Sequence, residues 1–336
     1  MELEEVFFVN IWITFLCNFS CRYCYVKPYY RNMSMDTKTA NQVINFIKNN
    51  IKKEQKLIIN FHGGEPTLNF DIVKYIINKI DCEIDNTVSY GITTNGSLLT
   101  DNMIQFLTQK CDYNLSVSID GKKETHDYNR RARDNKSYYE LIISNAKKML
   151  ALKPDTRIRM TFDRHNVKNL YENILYFLES GFKYVVPAAD IFSKDWAEDD
   201  FYELKLQMKK IKALEKIYGV QIELTADNVE CISNCTAGND YYSIDPYGKI
   251  FPCTFLVGCD EWIIGDCENG LVKEKLERIT SITSKKVDEC LECSVYKCCI
   301  GPRCVFTNYV TNGNYYTPNI VECNMMNLKL QINNYI

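Results

Sequence analysis

The sequence predicts an α/β protein with a parallel sheet, sized for a partial (β/α)6 TIM-like barrel. Three observations carry this. Apolar, β-rich runs alternate six times with stretches of helical period between Phe7 and Val186. Parallel strands cannot be joined by tight turns, so the alternation implies helical crossovers. Polar residues gather just after successive strand candidates, where (β/α) barrels place their ligand sites. A doubly wound sheet is the competing arrangement of the same pattern.

In chain order the strand candidates are Phe7–Leu16, Lys56–Phe61, Val88–Thr93, Asn114–Ile119, Arg157–Phe162 and Lys183–Val186. Between them, helical period runs through Thr37–Ile51, Asp71–Ile80, Asp101–Thr108, Ser137–Leu150 and Val167–Ser180. Asp199–Tyr218 is a charged amphipathic helix, its charges a solvated face, bridging to a second region. Near Cys231 the composition shifts. From there the chain reads as loop-rich, with turns at Asp245-Pro246-Tyr247-Gly248 and Gly301-Pro302. Few long apolar periods remain, so metal is expected to hold this part together. The expected domains are 1–225 and 226–336.

The 336 residues suffice for one large and one smaller domain. A formal charge of −3 implies no general attraction to nucleic acid or an anionic membrane. Of 16 cysteines, eleven fall between Cys231 and Cys323 and three are Cys17, Cys21 and Cys24; Cys82 and Cys111 stand alone and read as core residues. The N-terminus is acidic and no long apolar run follows, so a secreted disulfide framework is not expected. A cysteine-rich chain in the cytoplasm points to metal, and with only three histidines the metal is sulfur-bound.

Cys17-Asn18-Phe19-Ser20-Cys21-Arg22-Tyr23-Cys24 follows the first strand candidate and reads C-x3-C-x2-C. Three thiolates so spaced can hold three corners of a cubic [4Fe–4S] cluster and leave the fourth iron open to a substrate. A zinc site would want a fourth ligand nearby, and the nearest histidine is His62. Gly63-Gly64-Glu65-Pro66 follows the second strand. Glycines let backbone approach a ligand, and a carboxylate there can accept from an ammonium. Later strands end in Thr93-Thr94-Asn95-Gly96 and in Ser116-Val117-Ser118-Ile119-Asp120-Gly121, followed by His126-Asp127-Tyr128-Asn129-Arg130.

The cysteine run, together with Phe61-His62-Gly63-Gly64-Glu65-Pro66-Thr67-Leu68, resembles the radical SAM superfamily, in which S-adenosylmethionine (SAM) occupies the open iron. The resemblance implies that Gly63, Gly64 and Glu65 hold the SAM amino group and that Ser118 contacts the ribose. It places Tyr23 near the adenine and assigns Arg130 to the SAM carboxylate or to a structural ion pair. His62 is a cofactor-side candidate, Asn95 a ligand or a turn residue, and His126 a structural hydrogen bonder.

Cys235-x12-Gly248-x4-Cys253, then Cys290-x2-Cys293-x5-Cys299-x4-Cys304 and Cys323, resembles the SPASM extension of that superfamily. The family's compact run ends with x3, so this chain departs by one residue, and the adjacent Cys298 offers a second register. The resemblance implies two auxiliary [4Fe–4S] clusters, three clusters in all. One would take Cys235, Cys253 and Cys304, with Cys231 a fourth ligand. The other would take Cys290, Cys293, Cys299 and Cys323. If Cys231 does not bind, an open iron could hold a substrate thiolate, with Cys259 and Cys267 as further candidates. Zinc knuckles are the competing reading of the same thiolates.

The superfamily's chemistry is cleavage of SAM to a 5′-deoxyadenosyl radical, and SPASM members mostly act on peptides or proteins. The expected reaction is thioether crosslinking of a cysteine in a ribosomally made peptide. Formylglycine formation in a sulfatase, and carbon–carbon crosslinking or epimerisation, compete with it. Sulfatase-maturing relatives carry an Asp base where this chain has Thr254, and commonly a Gln where it has His62; Asp190 and Asp260 remain as possible bases. A flavodoxin- or ferredoxin-type electron donor is implied. Few residues precede the first strand, so a separate leader-peptide-binding protein, or the enzyme's own surfaces, would grip the leader. An iron–sulfur electron carrier that does not cleave SAM is the reading from another class.

Overall fold

The structure, a computed structural model, describes residues 5–26, 32–227, 235–285, 287–299 and 301–334, without the side chains of 289 and 297. Cys231 lies outside the described residues. The strands are β1 (Val6–Thr14), β2 (Lys56–Gly63), β3 (Val88–Thr94), β4 (Asn114–Ser118), β5 (Arg157–Phe162), β6 (Tyr184–Ala189), β7 (Tyr241–Ile244), β8 (Lys249–Phe251), β9 (Gly265–Asp266) and β10 (Gly270–Leu271). The helices of the first half are α1 (Thr37–Asn50), α2 (Phe70–Glu83), α3 (Asp101–Lys110), α4 (Lys123–Asn129), α5 (Tyr139–Leu152), α6 (Leu170–Glu179) and α7 (Glu198–Tyr218). Those of the second half are α8 (Lys273–Thr283), α9 (Asp288–Leu291), α10 (Tyr296–Cys299), α11 (Val305–Asn312) and α12 (Ile320–Ile332). All six strand candidates and all six helix candidates are present, within a few residues of their expected ends.

Packing divides the chain into two compact units. The first comprises 1–20, 24–116 and 236–281; the second comprises 21–23, 117–235 and 282–336. In the first, β1 lies between β2 and β7 and runs parallel to both, and β2 continues in parallel to β3. β1 is buried along nearly its whole length, as expected of a strand covered on both faces. Asn10, a buried polar residue in mid-strand, donates to Tyr241 Oη at 2.9 Å and accepts from Asn60 at 3.0 Å. Helices α1 and α2 turn their apolar stripes (Val43, Ile44 and Ile47; Val73, Ile76, Ile77 and Ile80) inward. Asp36 starts α1 by accepting from the Thr39 backbone N–H at 2.7 Å.

In the second unit β5 and β6 pair in parallel, and Ile119, just past β4, donates to the Arg159 carbonyl at 3.0 Å. The loop-rich expectation for the C-terminal region is corrected in part. From Lys273 onward it carries five helices among the described residues, three of eight residues or more. The β7–β8 hairpin extends the β1 sheet. Cys111 is buried as expected, whereas Cys82 is exposed, because it lies off the inward stripe of α2.

Candidate active site

In the first unit β1 ends at Thr14, and the chain turns through Phe15–Ser20 past Cys17. This turn is pinned from three sides. The Thr14 hydroxyl donates to the Met33 carbonyl (2.9 Å) and accepts from Leu16 N–H (3.0 Å). The diglycine lies against the same backbone: Gly64 N–H donates to the Thr14 carbonyl at 2.9 Å and Glu65 N–H to that of Leu16 at 2.8 Å. A Cβ on Gly63 would stand 2.3 Å from the Thr14 oxygen, and one on Gly64 2.2 Å from that of Leu16. Close backbone approach is therefore what the glycines permit, and the backbone they approach is that of the chain itself.

Asn95 supplies the third side. Its amide donates to Asn18 Oδ1 at 2.8 Å and to Cys17 Sγ at 4.0 Å, while its Oδ1 accepts from Ser97 N–H at 3.0 Å. Asn95 stands as the turn residue of its sequence reading, and its amide also reaches the cysteine loop. Cys17 Sγ also accepts from Phe19 N–H at 3.3 Å.

Glu65 is 1% exposed. Its carboxylate accepts from Thr67 N–H (3.1 Å), Thr67 Oγ1 (2.6 Å), Thr94 Oγ1 (2.7 Å) and Asn95 N–H (2.7 Å). Burial raises its pKa, and these four bonds oppose the shift by favouring the anion. An ionised carboxylate offers about four lone-pair sites, so Glu65 as placed braces the end of β2 to the end of β3. His62 stacks on Trp12 with ring centres 5.1 Å apart, and its Nε2 lies 3.3 Å from Tyr25 Oη.

In the second unit the middle of the cysteine loop is fastened to the end of α4. Arg22 N–H donates to the Asn129 carbonyl at 2.9 Å and its Nε to that of Tyr128 at 2.8 Å. Asp120 is the hub. It accepts from Tyr23 Oη (2.6 Å), Asn129 Nδ2 (3.2 Å) and Thr161 N–H (2.9 Å), and it pairs with Arg130 Nε at 3.1 Å. The Arg130 guanidinium lies over the Tyr23 ring, 5.3 Å from its centre. Arg130 thus stands in the ion-pair geometry that sequence reading left open. Tyr23, whose phenol burial holds well above its usual pKa, is fixed by its hydroxyl. Ser118 is buried at the end of β4. Sequence alone gives Asp120 no role, because its partners lie nine residues or more away on both sides.

His126 departs from expectation. Neither ring nitrogen has a hydrogen-bond partner among the described residues; the ring packs edge-on to Tyr139 at 5.3 Å. Burial depresses its pKa to about 4, from 6.5. Below pH 6.5 the unfolded chain binds this proton more readily than the folded one does. Its contribution to stability is therefore complete above about pH 6.5 and is lost as pH falls toward 4, a total of about 3 kcal/mol. Urea titrations of wild type and His126→Phe across this range should show the wild-type decline flattened in the variant. An unchanged decline would assign it to other groups.

The second unit also brings together four of the expected C-terminal ligands. Cys290, Cys293, Cys299 and Cys323 line one cavity of about 180 Å³. Their sulfurs feel one another: burial first, then the neighbouring Cys299 and Cys290, push the Cys323 thiol up to about 11, and Cys293 adds to the rise at Cys299. Thiols that resist ionising together suit a cationic iron–sulfur core, which reverses that repulsion. Cys299 lines the cavity and belongs to the apolar cluster of Val295, Met326 and Leu330, on which Cys298, outside the cavity lining, packs. Among the described residues no three His, Cys, Asp or Glu side chains are placed to hold a single metal ion.

Of the remaining candidates, Cys253 is buried in the first unit and accepts from Phe255 N–H at 3.3 Å. In the second, Cys304 caps α11 by accepting from Thr307 N–H at 3.3 Å, and Cys235 is exposed. Burial, with Asp245 and Asp266 alongside, raises the pKa of the Cys267 thiol.

Residues 12–172 match the pattern of the radical SAM superfamily. The chain carries a radical SAM domain. The family implies SAM and a [4Fe–4S] cluster, and the donor set fits: three half-buried thiols in one loop after β1, the first already accepting N–H bonds. The chain is 23% identical to the cysteine-type anaerobic sulfatase-maturating enzyme of Clostridium novyi, over 84% of this chain and 83% of that one. It is 22% identical to the radical SAM cyclopropyl synthase TigE of Paramaledivibacter caminithermalis, over 89% and 68%. Among solved structures it resembles anSMEcpe with bound AdoMet and the Cp18Cys peptide, with a TM-score of 0.79 at 19% identity over 99% of this chain and 100% of that one. The parallel βα units are thus those of the partial TIM-like radical SAM fold. No described helix is long and apolar enough to cross a membrane.

Proposed function

We propose that this radical SAM enzyme is a peptide maturase that joins a cysteine sulfur to a carbon of a ribosomally made peptide. In this reading Cys17, Cys21 and Cys24 hold the SAM-binding cluster, and Gly63, Gly64, Glu65, Asn95 and Ser118 shape the SAM site, with Tyr23 and His62 beside it. When bound, the reduced cluster and SAM supply a 5′-deoxyadenosyl radical able to take hydrogen from an unactivated carbon. The residues of the chain bind, orient and shield. Glu65 and Asn95 fix the loop that carries Cys17, and the Asp120–Arg130–Tyr23 network holds its middle.

We assign the cavity of Cys290, Cys293, Cys299 and Cys323 to one auxiliary cluster, and Cys235, Cys253 and Cys304, with Cys231, to a second. As functional domains, residues 1–225 form the SAM-cleaving part and 226–336 the SPASM part. A flavodoxin- or ferredoxin-type donor and a leader-binding partner complete the proposal.

The observation that carries thioether formation over formylglycine formation is at Thr254. It follows Cys253, has no carboxylate, and its hydroxyl accepts from Trp12 Nε1 at 3.2 Å. A side chain so committed is a poor base for a substrate thiol or alcohol. Similarity to the sulfatase-maturating enzyme keeps formylglycine formation as the second reading. Mass spectrometry of a cysteine-containing precursor peptide after turnover separates them. Thioether formation removes two hydrogen atoms and the free thiol but keeps the sulfur. Loss of the sulfur would contradict the proposal.

A further inference from the structure

We propose that Arg303 is a positioning residue for the four-cysteine cavity, where it raises the reduction potential of an iron–sulfur cluster bound there. The inference rests on the assignment of that cavity made above. Arg303 lines the cavity together with the four cysteines, and its charge opposes the rise that burial imposes on the Cys299 thiol. Its charge also acts on Cys323 and Glu322.

Two features argue against a merely structural arginine. Its backbone is left-handed, with φ 62°. Glycine or asparagine adopts that conformation at least cost, so a turn alone gives no reason for arginine. Such an outlier persists where its surroundings over-determine it, often at a functional site. Second, the guanidinium is not consumed by a forked pair with the buried acid beside it. Arg303 Nε and Glu322 Oε2 are both buried without a hydrogen-bond partner among the described residues.

The physical consequence follows from charge. A one-electron reduction adds a negative charge spread over the cluster and its ligand sulfurs. A permanent cation in the same cavity lining stabilises the reduced form more than the oxidised form. The electron comes from the external donor, no bond is made or broken, and no proton need move at Arg303.

The test is a potentiometric titration, read by electron paramagnetic resonance, of the anaerobically reconstituted full chain with Cys17, Cys21 and Cys24 changed to Ala, so that only C-terminal clusters report. Into this background go Arg303→Asn, which tolerates the left-handed backbone, and Arg303→Lys, which keeps the charge but loses the planar fork. The expected result for Arg303→Asn is at least a tenfold loss in the equilibrium constant for reduction, about 59 mV more negative for a one-electron couple. Arg303→Lys should show a smaller loss of the same sign. An unchanged midpoint in an Arg303→Asn variant that retains its iron would overturn the role of Arg303. Iron content after changing Cys290, Cys293, Cys299 and Cys323 to Ser reads the underlying assignment separately. Full iron loading there would remove the cluster site, and the proposal with it.

Discussion

Gly64→Ala is expected to cut 5′-deoxyadenosine release by about a hundredfold while leaving helix content intact, because sub-ångström placement decides such rates. The added Cβ would meet the Leu16 carbonyl oxygen at 2.2 Å, its carbon at 2.6 Å and the Phe15 oxygen at 2.8 Å. All three are backbone atoms, and none can swing aside as a flexible side chain can. The segment leading to Cys17 must move instead, taking the Glu65 N–H bond to Leu16 with it. Gly219→Ala is the control. Gly219 has φ 62° at the C-terminus of α7, with nothing within 4 Å of the new Cβ. It should cost about 1 kcal/mol of stability or a little more and no cleavage. Deoxyadenosine release from Gly64→Ala equal to that from Gly219→Ala would refute the placement of the loop.

The second large effect is expected at Asp120. Asp120→Ala leaves Arg130, 9% exposed, without its ion-pair partner and Tyr23 without its acceptor. Removing one member of a buried pair strands the other charge, at a cost of about 3–5 kcal/mol. Chemical denaturation should show that loss, and iron content should fall with it, since Cys21 and Arg22 sit on the same fastening. Asp120→Asn keeps the shape and an acceptor for Tyr23 but not the charge, and should fall between. A loss under about 1 kcal/mol in Asp120→Ala would mean that the pair is solvated and worth no more than a surface ion pair.

How much of this was legible in the sequence depended on distance along the chain. The first six strands are apolar runs because parallel strands are covered on both faces, and such runs are visible without a structure. The β7–β8 hairpin was not visible. Its strands have four and three residues, too short for a period, and its partner β1 lies more than 200 residues away. Helix α12 is hidden because its apolar residues do not keep to one face, whereas α8 and α11 do carry a helical period, in a stretch whose cysteines and turn residues read as loop.

At the site, local spacing revealed the cysteines and the diglycine, but not what the diglycine touches. The role of Asp120 depends on four partners brought together by folding. Cys298 and Cys299 are adjacent, and only burial and the cavity distinguish them. His126 shows the limit of residue-type reasoning. A histidine near a strand end suggests a hydrogen bonder, yet here the fold buries it neutral against Tyr139.

The central claim is that the loop of Cys17, Cys21 and Cys24 makes this chain a SAM-cleaving enzyme. Anaerobically reconstituted, reduced protein should be given SAM, with and without a cysteine-containing peptide, beside the Cys17/Cys21/Cys24→Ala variant. The account predicts 5′-deoxyadenosine from the wild type and none from the variant. Absence of deoxyadenosine from wild-type protein with clusters loaded and peptide present, or equal release from both proteins, would contradict it.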